Sequence, residues 1–415
     1  MNPDLSQVIR KMVAHGAQRF YFKVLADNDN SKNQLYMGGS QVVQIFPVGA
    51  FHPIHGAKRQ NFHVDIPFSW LADDGSVHVA PNTKLIYYTD YPEVRLSGFL
   101  LRCSHAPNNI MNVRQTGRVM IFGITSEPAA QVIAYVASPG SALANEFDAL
   151  GQLQTEGIFH VLRPIAGTVA GSALRAVQSL IPSSKGVASR DELCAKLREI
   201  NGHGWVPSKR MTDKTTGAIV PCNAPNCGGY TLEAELGITA NGRSEPDWNG
   251  WEVKQYGVRD FITYLARSAV SIMVPNADGG YRQEHGFDSF MSRYGYPDRS
   301  GRSDRLNFGG QFRVGNLTAT GQVPLSMELH GYDGLRETIT DTKGGIALVE
   351  ADGTVALRWS FVKIMEHWSK KHDHAVYVPS MMIENPRQYA FGNRTRICET
   401  TSPNLLLKAL YTKKM

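Results

Sequence analysis

The residues best suited to chemistry stand near the middle of the chain, at Asp247, Glu252 and Lys254. Carboxylate oxygens are ligands that Mg²⁺ prefers, and magnesium sites keep bound waters for a substrate. A bound metal ion orients and acidifies such a water and neutralises charge that builds on a phosphate. A lysine beside that water stabilises negative charge as it develops in the transition state. These three residue types together suit metal-dependent hydrolysis of a phosphodiester.

A short strand over residues 251–256 is needed to position these side chains. The stretch alternates in character, and Asn249-Gly250 before it predicts a tight turn. Side chains two residues apart on a strand share a face, so Glu252 and Lys254 should point to the same side. Asp247 precedes the turn and is expected to fold back beside Glu252. Two carboxylates would then converge, and a main-chain carbonyl between them would add a further oxygen.

A helix is predicted just upstream, with Thr231 as its N-cap and Gly237 at its end. Glu233 would lie in the first turns of this helix and could lean towards the two acids as a third carboxylate. A carboxylate at a helix start is also favoured by the helix macrodipole alone. Both interpretations stay open at this point. The spacing of the other three residues also arises by chance in short motifs, so the surroundings must decide.

The surroundings resemble the MvaI/BcnI restriction endonucleases and their relative MutH, which are PD-(D/E)xK nucleases. The resemblance rests on separated elements that agree in order and spacing: Gly229 to Glu233, Leu236-Gly237, Pro246-Asp247 and Gly250 to Lys254. It covers about residues 190–415. It implies that Asp247 and Glu252 bind one or two Mg²⁺ ions, that Lys254 is the catalytic lysine and that Glu233 is an accessory acid on a helix. The activity implied is site-specific cleavage of double-stranded DNA that leaves 5′-phosphate and 3′-hydroxyl ends.

Length and composition predict an ordinary globular protein with two or three domains, since the chain has 415 residues and is 42% hydrophobic. A net charge of +6 permits a polyanionic partner without requiring one. Five cysteines, an odd number, predict no disulfide framework and suit a reducing compartment. Cys222 and Cys227 are interpreted as free loop thiols, because structural zinc needs four ligands and a second pair is missing.

The N-terminus lacks the basic and then apolar pattern of a signal peptide. The sequence contains no apolar run of the ~18 residues that a membrane-spanning helix requires. We therefore expect a cytoplasmic protein without a membrane partner.

The expected fold is α+β and multidomain. Residues 1–150 are rich in short β-branched and aromatic segments punctuated by Asn, Asp, Gly and Pro, which is typical of a barrel or sandwich. The predicted strands there cover residues 20–25, 41–46, 62–66, 84–88, 119–123 and 131–136, with helices over 5–15 and 141–150. Residues 151–189 are predicted to form a linker with one short helix over 173–181. Residues 190–415 mix helices, over 193–200 and 355–371, with strands, over 345–350 and 375–378.

The first 150 residues resemble the N-terminal effector domain of EcoRII-type enzymes. The resemblance implies a β pseudobarrel that grips DNA with two arms, here residues 23–34 and about 88–102. Arginine and lysine supply most protein contacts to phosphates and guanines, and amides suit adenine edges. The candidates for DNA contacts on these arms are Lys23, Asn28, Lys32, Gln34, Arg95 and Arg102. The alternative is that they are ordinary polar residues of surface loops.

In residues 190–415, a PD-(D/E)xK nuclease domain of α/β type is implied by the resemblance, and base-reading residues are expected in its later loops. The candidates for DNA contacts there are Arg302, Arg305, His372, His374, Arg394 and Arg396. The alternative is a basic face that contacts phosphates only. The two histidines are not expected to bind metal, because the carboxylates already supply a site for a hard cation.

The two resemblances together imply a Type II restriction enzyme with a second DNA-binding domain. They suggest the target CC(A/T)GG, bound once by each domain, with the second copy acting as an effector or a tether. A cognate methyltransferase is the implied functional partner, and the chain is expected to be a monomer or a weak dimer. Two alternatives remain, a MutH-like strand-nicking repair endonuclease and a DNA-binding regulator that does not cut.

Overall fold

The computed structural model describes residues 3–39, 42–54, 61–89, 93–126, 130–151, 153–162, 172–180, 190–213, 215–239, 247–264, 272–298, 302–319, 321–370, 374–399 and 401–414. The protein is a mixed α/β structure rich in sheets. It has two compact units, one of Met1–Gly186 with Gly331–Gly344 and one of Val187–His330 with Gly345–Met415.

Up to residue 186, the first unit contains short helices and two sheets. Its helices are α1 Leu5–Ala14, α2 Val42–Ile45, α3 Asn108–Met111, α4 Ala142–Ala149 and α5 Ser172–Gln178. Its strands are β1 Ala17–Leu25, β2 Gln34–Tyr36, β3 Phe51–Ile54, β4 Asn61–Asp65, β5 Phe68–Leu71, β6 Val77–Val79, β7 Lys84–Tyr88, β8 Glu93–Ser97, β9 Arg118–Thr125, β10 Val132–Ala137, β11 Gln154–Glu156 and β12 Phe159–Leu162.

Helix α1 forms as its sequence predicts. The Asp4 carboxylate accepts the Gln7 N–H at 2.7 Å and the Gln7 side chain accepts the Asp4 N–H at 3.1 Å, which completes a capping box. Its apolar residues recur at helical spacing and are buried in one core with parts of β1, β9 and α4. The predicted helix over residues 5–15 is therefore confirmed.

Up to residue 186, the described strands of the first unit form two sheets. One has the order β11-β12-β1-β9-β10-β5-β6 and the other has the order β2-β8-β7-β4-β3. Strand β9 is buried along its whole length, between antiparallel partners β1 and β10. The predicted strands over 20–25, 62–66, 84–88, 119–123 and 131–136 all correspond to observed strands.

Two predictions for this unit are wrong. Residues 42–45 form the short helix α2 instead of a strand. Phe46, at the end of that helix, packs edge-on against Phe122 and Phe159, so tertiary packing outweighs the β-propensity of the two valines. The predicted linker, residues 151–189, is wrong for its first part, which contains β11 and β12, with β12 paired to β1, whereas the short helix predicted over 173–181 corresponds to α5. Its buried residues Phe159 and Leu162 extend the core, a role that the surrounding small residues concealed.

Beyond residue 186 the described helices are α6 Arg190–Gly202, α7 Cys227–Glu235, α8 Tyr281–Tyr294, α9 Phe361–Lys370 and α10 Pro403–Tyr411, with a 3-10 turn at Val274–Asn276. The strands are β13 Val206–Pro207, β14 Lys209–Asp213, β15 Ala218–Pro221, β16 Glu252–Gly257, β17 Tyr296–Pro297, β18 Leu306–Asn307, β19 Leu317–Thr318, β20 Leu325–His330, β21 Tyr332–Asp333, β22 Thr338–Ile339, β23 Gly345–Val349, β24 Val355–Ser360, β25 Ala375–Ile383, β26 Gln388–Phe391 and β27 Arg396–Cys398.

The sheet that matters for the candidate chemistry has the order β13-β26-β25-β16, and β27 pairs with the start of β25. Strands β16 and β25 are parallel, with Glu252 opposite Ala375 and Tyr256 opposite Pro379. One core joins this sheet to α6 and α7 and includes Leu197, Leu232 and Val253. A second sheet, β19-β20-β23-β24, lies in the same unit.

The predicted helix over residues 355–371 is wrong for its first part, because Val355–Ser360 is strand β24 and only Phe361–Lys370 is helical. The Asp278 carboxylate accepts bonds from the N–H and hydroxyl of Ser360, at 2.8 and 2.5 Å. The Ser360 hydroxyl in turn accepts the Lys363 N–H at 3.2 Å, which caps the new helix. The change from strand to helix is thus fixed by a distant aspartate that the local apolar spacing does not reveal.

The prediction of free thiols is also wrong for one pair, because Cys222 and Cys227 form a disulfide that closes the turn before α7. Their Cα atoms are 5.7 Å apart, within the range that a disulfide requires. Cys103, Cys194 and Cys398 are free. Among the described helices, every one is too short or too polar to cross a membrane.

Candidate active site

A tight turn delivers the chain into strand β16. Trp248 and Trp251 exchange two main-chain hydrogen bonds, at 2.9 and 2.8 Å. Asn249 and Gly250 between them both have positive φ, 43° and 86°. Such a turn favours Asn-Gly, because glycine accepts positive φ without cost and asparagine tolerates it. The predicted turn before the strand is confirmed, and Trp251 anchors it in the core.

Asp247 folds back onto the strand, as its position before the turn predicts. Its Oδ2 accepts the Val253 N–H at 2.9 Å. The Glu252 N–H instead donates to the His374 carbonyl beside β25, at 2.8 Å. Because main-chain groups of successive strand residues point to opposite sides, the N–H and carbonyl of Val253 face the edge of the sheet away from β25. The Asp247 carboxylate therefore lies at this edge, bonded to the residue that follows Glu252.

Glu252 and Lys254 occupy one face of β16 and form an ion pair. The distance from Lys254 Nζ to Glu252 Oε1 is 2.5 Å. The carboxylate is fully buried, whereas the lysine side chain is 36% exposed. A buried carboxylate requires a compensating charge, which the lysine supplies. The lysine side chain nevertheless remains partly accessible from the surface.

The donor set fits a hard cation. Two carboxylates and the Val253 carbonyl are oxygen ligands, which Mg²⁺ prefers over the nitrogen and sulfur ligands of transition metals. Within the described ranges, no three His, Cys, Asp or Glu side chains are clustered closely enough to hold a metal ion by themselves. A metal bound here would therefore rely on Asp247, Glu252 and a main-chain oxygen, with water completing its coordination.

Glu233 lies on α7, which packs against the opposite face of β16 from Glu252 and Lys254. A Cβ added to Gly228 would lie 2.8 Å from the Gln255 side chain, so the helix and the strand are in close contact. Glu233 is half-buried, and the described residues contain no cluster of three acids that could hold a metal ion. Its role as an accessory acid stays a prediction.

The start of α7 differs from the sequence prediction. The helix begins at Cys227, so Thr231 is an interior residue and not the N-cap. Thr231 is buried, and its hydroxyl bonds to the main chain of Lys209 at 3.1 and 3.2 Å, which ties β14 to the helix. The N-cap prediction is wrong because this contact with β14 satisfies the hydroxyl. The end of the helix is as predicted, with Gly237 at φ 71° just beyond it.

One charged cluster, at the end of α7, was not predicted from the sequence. Glu235, the last residue of α7, has a buried side chain that bonds Lys209 Nζ at 2.5 Å and His203 Nδ1 at 2.7 Å. Burial alone would raise the pKa of Glu235, but the hydrogen bonds and charges of Lys209 and His203 outweigh it and lower that pKa. The three residues come from separate elements, so only the fold brings them together.

In the first unit, the proposed DNA contact of Lys23 requires correction. Lys23 is only 6% exposed and forms a buried ion pair with Asp29. Asp29 also accepts the N–H groups of Ala26 and Tyr36, both at 3.1 Å. The lysine therefore stabilises the arm at residues 26–36 from within and does not reach a phosphate.

The remaining candidates of this unit are accessible. Asn28, Lys32 and Arg102 are exposed. Gln34 bonds the Tyr88 hydroxyl at 3.0 Å, and the Arg95 guanidinium lies 5.5 Å from the centre of the Tyr88 ring. Arg95 also pairs with Glu93 at 2.8 Å. Gln34 and Arg95 thus share one sheet face, while DNA contacts by any of these residues stay predictions.

The candidates of the second unit differ in their surroundings. Arg302, Arg394 and Arg396 are exposed, and Arg305 lies 3.5 Å from Asp298. His374 is half-buried and packs edge-on against Trp251, with ring centres 4.9 Å apart. His372 lies outside the described residues. The structure brings His374 next to the strand that carries Glu252 and Lys254.

Tyr256 is a further residue of this strand face that was not among the residues predicted from the sequence. It stands two residues beyond Lys254 and four beyond Glu252, so it continues the same strand face. Its ring lies 6.5 Å from that of Tyr264, and Arg394 stacks on Tyr264. The period-two spacing from Glu252 could have identified Tyr256, whereas its neighbours depend on tertiary contacts.

Comparison with known proteins identifies this region. Residues 194–415 match the model of the MvaI/BcnI restriction endonuclease family, and they include Asp247, Glu252 and Lys254. No curated protein matches the chain.

Solved structures show weaker likenesses. A complex of the restriction endonuclease MvaI with cognate DNA covers 54% of this chain and 81% of its own, at 16% identity and a TM-score of 0.35. The B3 domain of the UbaLAI restriction endonuclease with cognate DNA covers 38% of this chain and 94% of its own, at 18% identity and a TM-score of 0.26. MvaI without DNA covers 54% and 86%, at 14% identity and a TM-score of 0.22. At these scores the likenesses carry no argument about function.

Proposed function

Because the chain belongs to the MvaI/BcnI restriction endonuclease family, it is a site-specific DNA endonuclease, and we propose that Asp247, Glu252 and Lys254 form its Mg²⁺-dependent active site. Two observations support this proposal: Asp247 folds back to accept the Val253 N–H at the edge of β16, and Lys254 pairs with Glu252 at 2.5 Å on one face of the same strand. A PD-(D/E)xK arrangement of the second unit is part of the proposal.

Each residue has a separate role. Asp247 and Glu252, with the Val253 carbonyl, would hold the metal, which when bound supplies an acidified water and neutralises phosphate charge. Lys254 is accessible on the same face and stabilises the charge that develops on the phosphate during attack. Burial of Glu252 keeps its carboxylate fixed and limits competing water. Glu233 would act as an accessory acid from α7.

DNA recognition is proposed to involve both units. The target CC(A/T)GG follows from the resemblance to EcoRII and MvaI, which share that target. The first unit, as an EcoRII-like pseudobarrel over residues 1–150, would bind a second copy of the site as effector or tether through Asn28, Lys32, Gln34, Arg95 and Arg102. This combination of domains resembles that of UbaLAI. A cytoplasmic location, a cognate methyltransferase and a monomeric or weakly dimeric state belong to the same proposal.

In the nuclease domain, the exposed residues Arg302, Arg305, Arg394 and Arg396 are the proposed DNA contacts, together with His374 and His372. Arginine suits either a guanine edge or a phosphate. These contacts would orient the duplex so that a phosphodiester lies against the β16 face.

The decisive experiment is digestion of phage DNA by the purified full-length chain with Mg²⁺, followed by sequencing of the ends. Breaks in both strands within one short sequence support the proposal and define the target and the cut positions. Single-strand nicks would instead support a MutH-like repair enzyme. DNA binding without any break would support a regulator and overturn the assignment of the active site.

A further inference from the structure

The chain that follows β16 forms an ordered turn beside the candidate active site. The Asp260 carboxylate accepts the N–H groups of Ile262 and Thr263, at 2.8 and 2.6 Å, and the Thr263 hydroxyl at 2.6 Å. The bonds from Thr263 and Ile262 lower the pKa of Asp260, so it stays charged near neutral pH. These bonds close a turn over residues 260–263, directly before Tyr264.

This turn meets the connection between β26 and β27. The Gly392 N–H donates to the Pro379 carbonyl at 2.8 Å, and Pro379 is the partner of Tyr256 in the sheet. A Cβ added to Gly392 would lie 2.8 Å from the Phe261 ring. The connection between β26 and β27 therefore crosses the sheet at the level of Tyr256 and Pro379. The Phe261 ring packs directly on Gly392.

Arg394, in this connection, is held at three points, two of them by Tyr264 and one by Ile262. The Tyr264 hydroxyl donates to the Arg394 carbonyl at 2.6 Å, and the Arg394 guanidinium lies 5.6 Å from the centre of the Tyr264 ring. Arg394 Nη1 donates to the Ile262 carbonyl at 3.2 Å. Burial raises the pKa of Tyr264, which keeps its hydroxyl protonated and able to donate. Arg394 remains exposed, so further N–H groups of its guanidinium are accessible.

The Tyr264 ring also contacts the catalytic face of β16. Its centre is 6.5 Å from that of Tyr256, which shares a strand face with Glu252 and Lys254. One tyrosine thus links the exposed arginine to the strand that carries the acids and the lysine.

We propose that Tyr264 is a positioning residue that fixes Arg394 beside the β16 face, so that the guanidinium bonds an acceptor on the DNA held there. The inference rests on the proposed function. The acceptor is a phosphate oxygen or a guanine edge, since both suit a guanidinium fork. Without the tyrosine, the Arg394 side chain samples many rotamers. Binding to DNA must then restrict it to one rotamer, and this loss of conformational entropy weakens the affinity.

The test is a double-mutant cycle on the full-length chain with Tyr264→Leu, Arg394→Ala and the combined variant. Cleavage of DNA that contains the target gives kcat and KM, and binding in Ca²⁺ without cleavage gives Kd. Arg394→Ala should raise Kd about 10-fold or more. Tyr264→Leu should raise it by a similar factor, and the combined variant should show no loss beyond that of Arg394→Ala, because residues that act through one contact are not additive.

Two further variants keep the test informative. Tyr264→Phe keeps the ring and loses only the bond to the Arg394 carbonyl, so its Kd should rise by a few-fold at most. Tyr411→Leu, which changes an exposed tyrosine on α10, is the matched control and should bind and cut normally. If Tyr264→Leu fails to fold, Tyr264→Phe combined with Arg394→Ala completes the cycle.

The outcomes are distinct. The role of Tyr264 is overturned if the losses of affinity of the two single variants multiply in the combined variant, or if kcat falls while Kd is unchanged. In either case, cleavage by the wild-type chain leaves the proposed function intact. A wild-type chain that binds but never cuts overturns the proposed function. A smaller slope of log Kd against log salt identifies a phosphate acceptor, and weaker discrimination among related sites with an unchanged slope identifies a guanine. Either result supports the inference.

Discussion

Two lysine–carboxylate pairs, one in each unit, have similar contacts and different surroundings. Lys254 pairs with Glu252 on strand β16, and its side chain is 36% exposed. Lys23 pairs with Asp29 inside the first unit, and its side chain is only 7% exposed. Asp29 also bonds two main-chain N–H groups of the arm that it stabilises. Accessibility, more than the ion pair itself, thus distinguishes the lysine that is proposed to act on a substrate from the lysine that stabilises the fold.

Loss of the accessible lysine should have the largest effect. Lys254→Ala is expected to lower the cleavage rate at least about 10²-fold, because a charge that stabilises the transition state disappears. Binding to DNA in Ca²⁺ should persist. Plasmid cleavage and gel-shift assays measure the two effects. Lys196→Ala removes a lysine from the surface pair with Glu199 and serves as the control, with normal cleavage expected. Normal cleavage by Lys254→Ala would show that the active site has been assigned wrongly.

Loss of the buried lysine should act on stability. Lys23→Ala leaves Asp29 buried without its cation, and removal of one partner of a buried pair costs about 3–5 kcal/mol. Thermal unfolding of the full-length chain should show a lower midpoint for the first unit, while cleavage by folded protein is retained. Lys32→Ala changes an exposed lysine on the same arm and should leave the midpoint unchanged. Equal stability of the two variants would contradict the comparison.

Arg95 sharpens the comparison, because it is an accessible cation of the first unit. Arg95→Ala should weaken effector DNA binding by about 1–3 kcal/mol, the range for a lost arginine contact. A binding assay on the full-length chain with Lys254→Ala, which is expected to bind DNA without cutting it, should show this loss in the affinity for the second DNA copy. Unchanged affinity would show that the sheet face with Gln34 and Arg95 does not bind DNA.

The smallest effect is expected at Glu235. Its lowered pKa means that the folded state holds the charged carboxylate more favourably than the unfolded chain does. The stability that it contributes is therefore complete above the ordinary pKa of a glutamate and is lost as the pH falls through the lowered pKa. Glu235→Gln should flatten the acid side of a plot of melting temperature against pH. If Glu235→Gln leaves the melting temperature at acid pH unchanged, Lys209 and His203 do not stabilise this carboxylate.

The strand that carries the candidate active site, β16, was predictable because the signals for it lie in neighbouring residues. Asn249-Gly250 specifies the turn, and the spacing of Glu252 and Lys254 places both on one face. The position of Asp247 before a turn was enough to predict that it folds back. These features depend on a few neighbouring residues, so the sequence alone contains them.

Features that depend on distant contacts were not predictable. The burial of Lys23 follows from an arm that returns Asp29 to it, and the start of α9 follows from Asp278. Thr231 was mistaken for a cap because its bond to Lys209 comes from another element. Likewise, the placement of Tyr264 on Arg394 joins segments 130 residues apart. Local patterns carry no information about such partners.

The bond between Asp247 and the Val253 N–H has a consequence for solution behaviour. Among the described strands β16 pairs only with β25, so its other side is a border where a foreign strand could add. Asp247 places a negative charge at that edge, and its carboxylate accepts the Val253 N–H to which an incoming strand would have to bond. Asp247→Ala would leave this edge of β16 free to pair with another copy of the chain, whereas Lys254→Ala would not. An inactive protein intended for concentrated samples with DNA is therefore better made at Lys254.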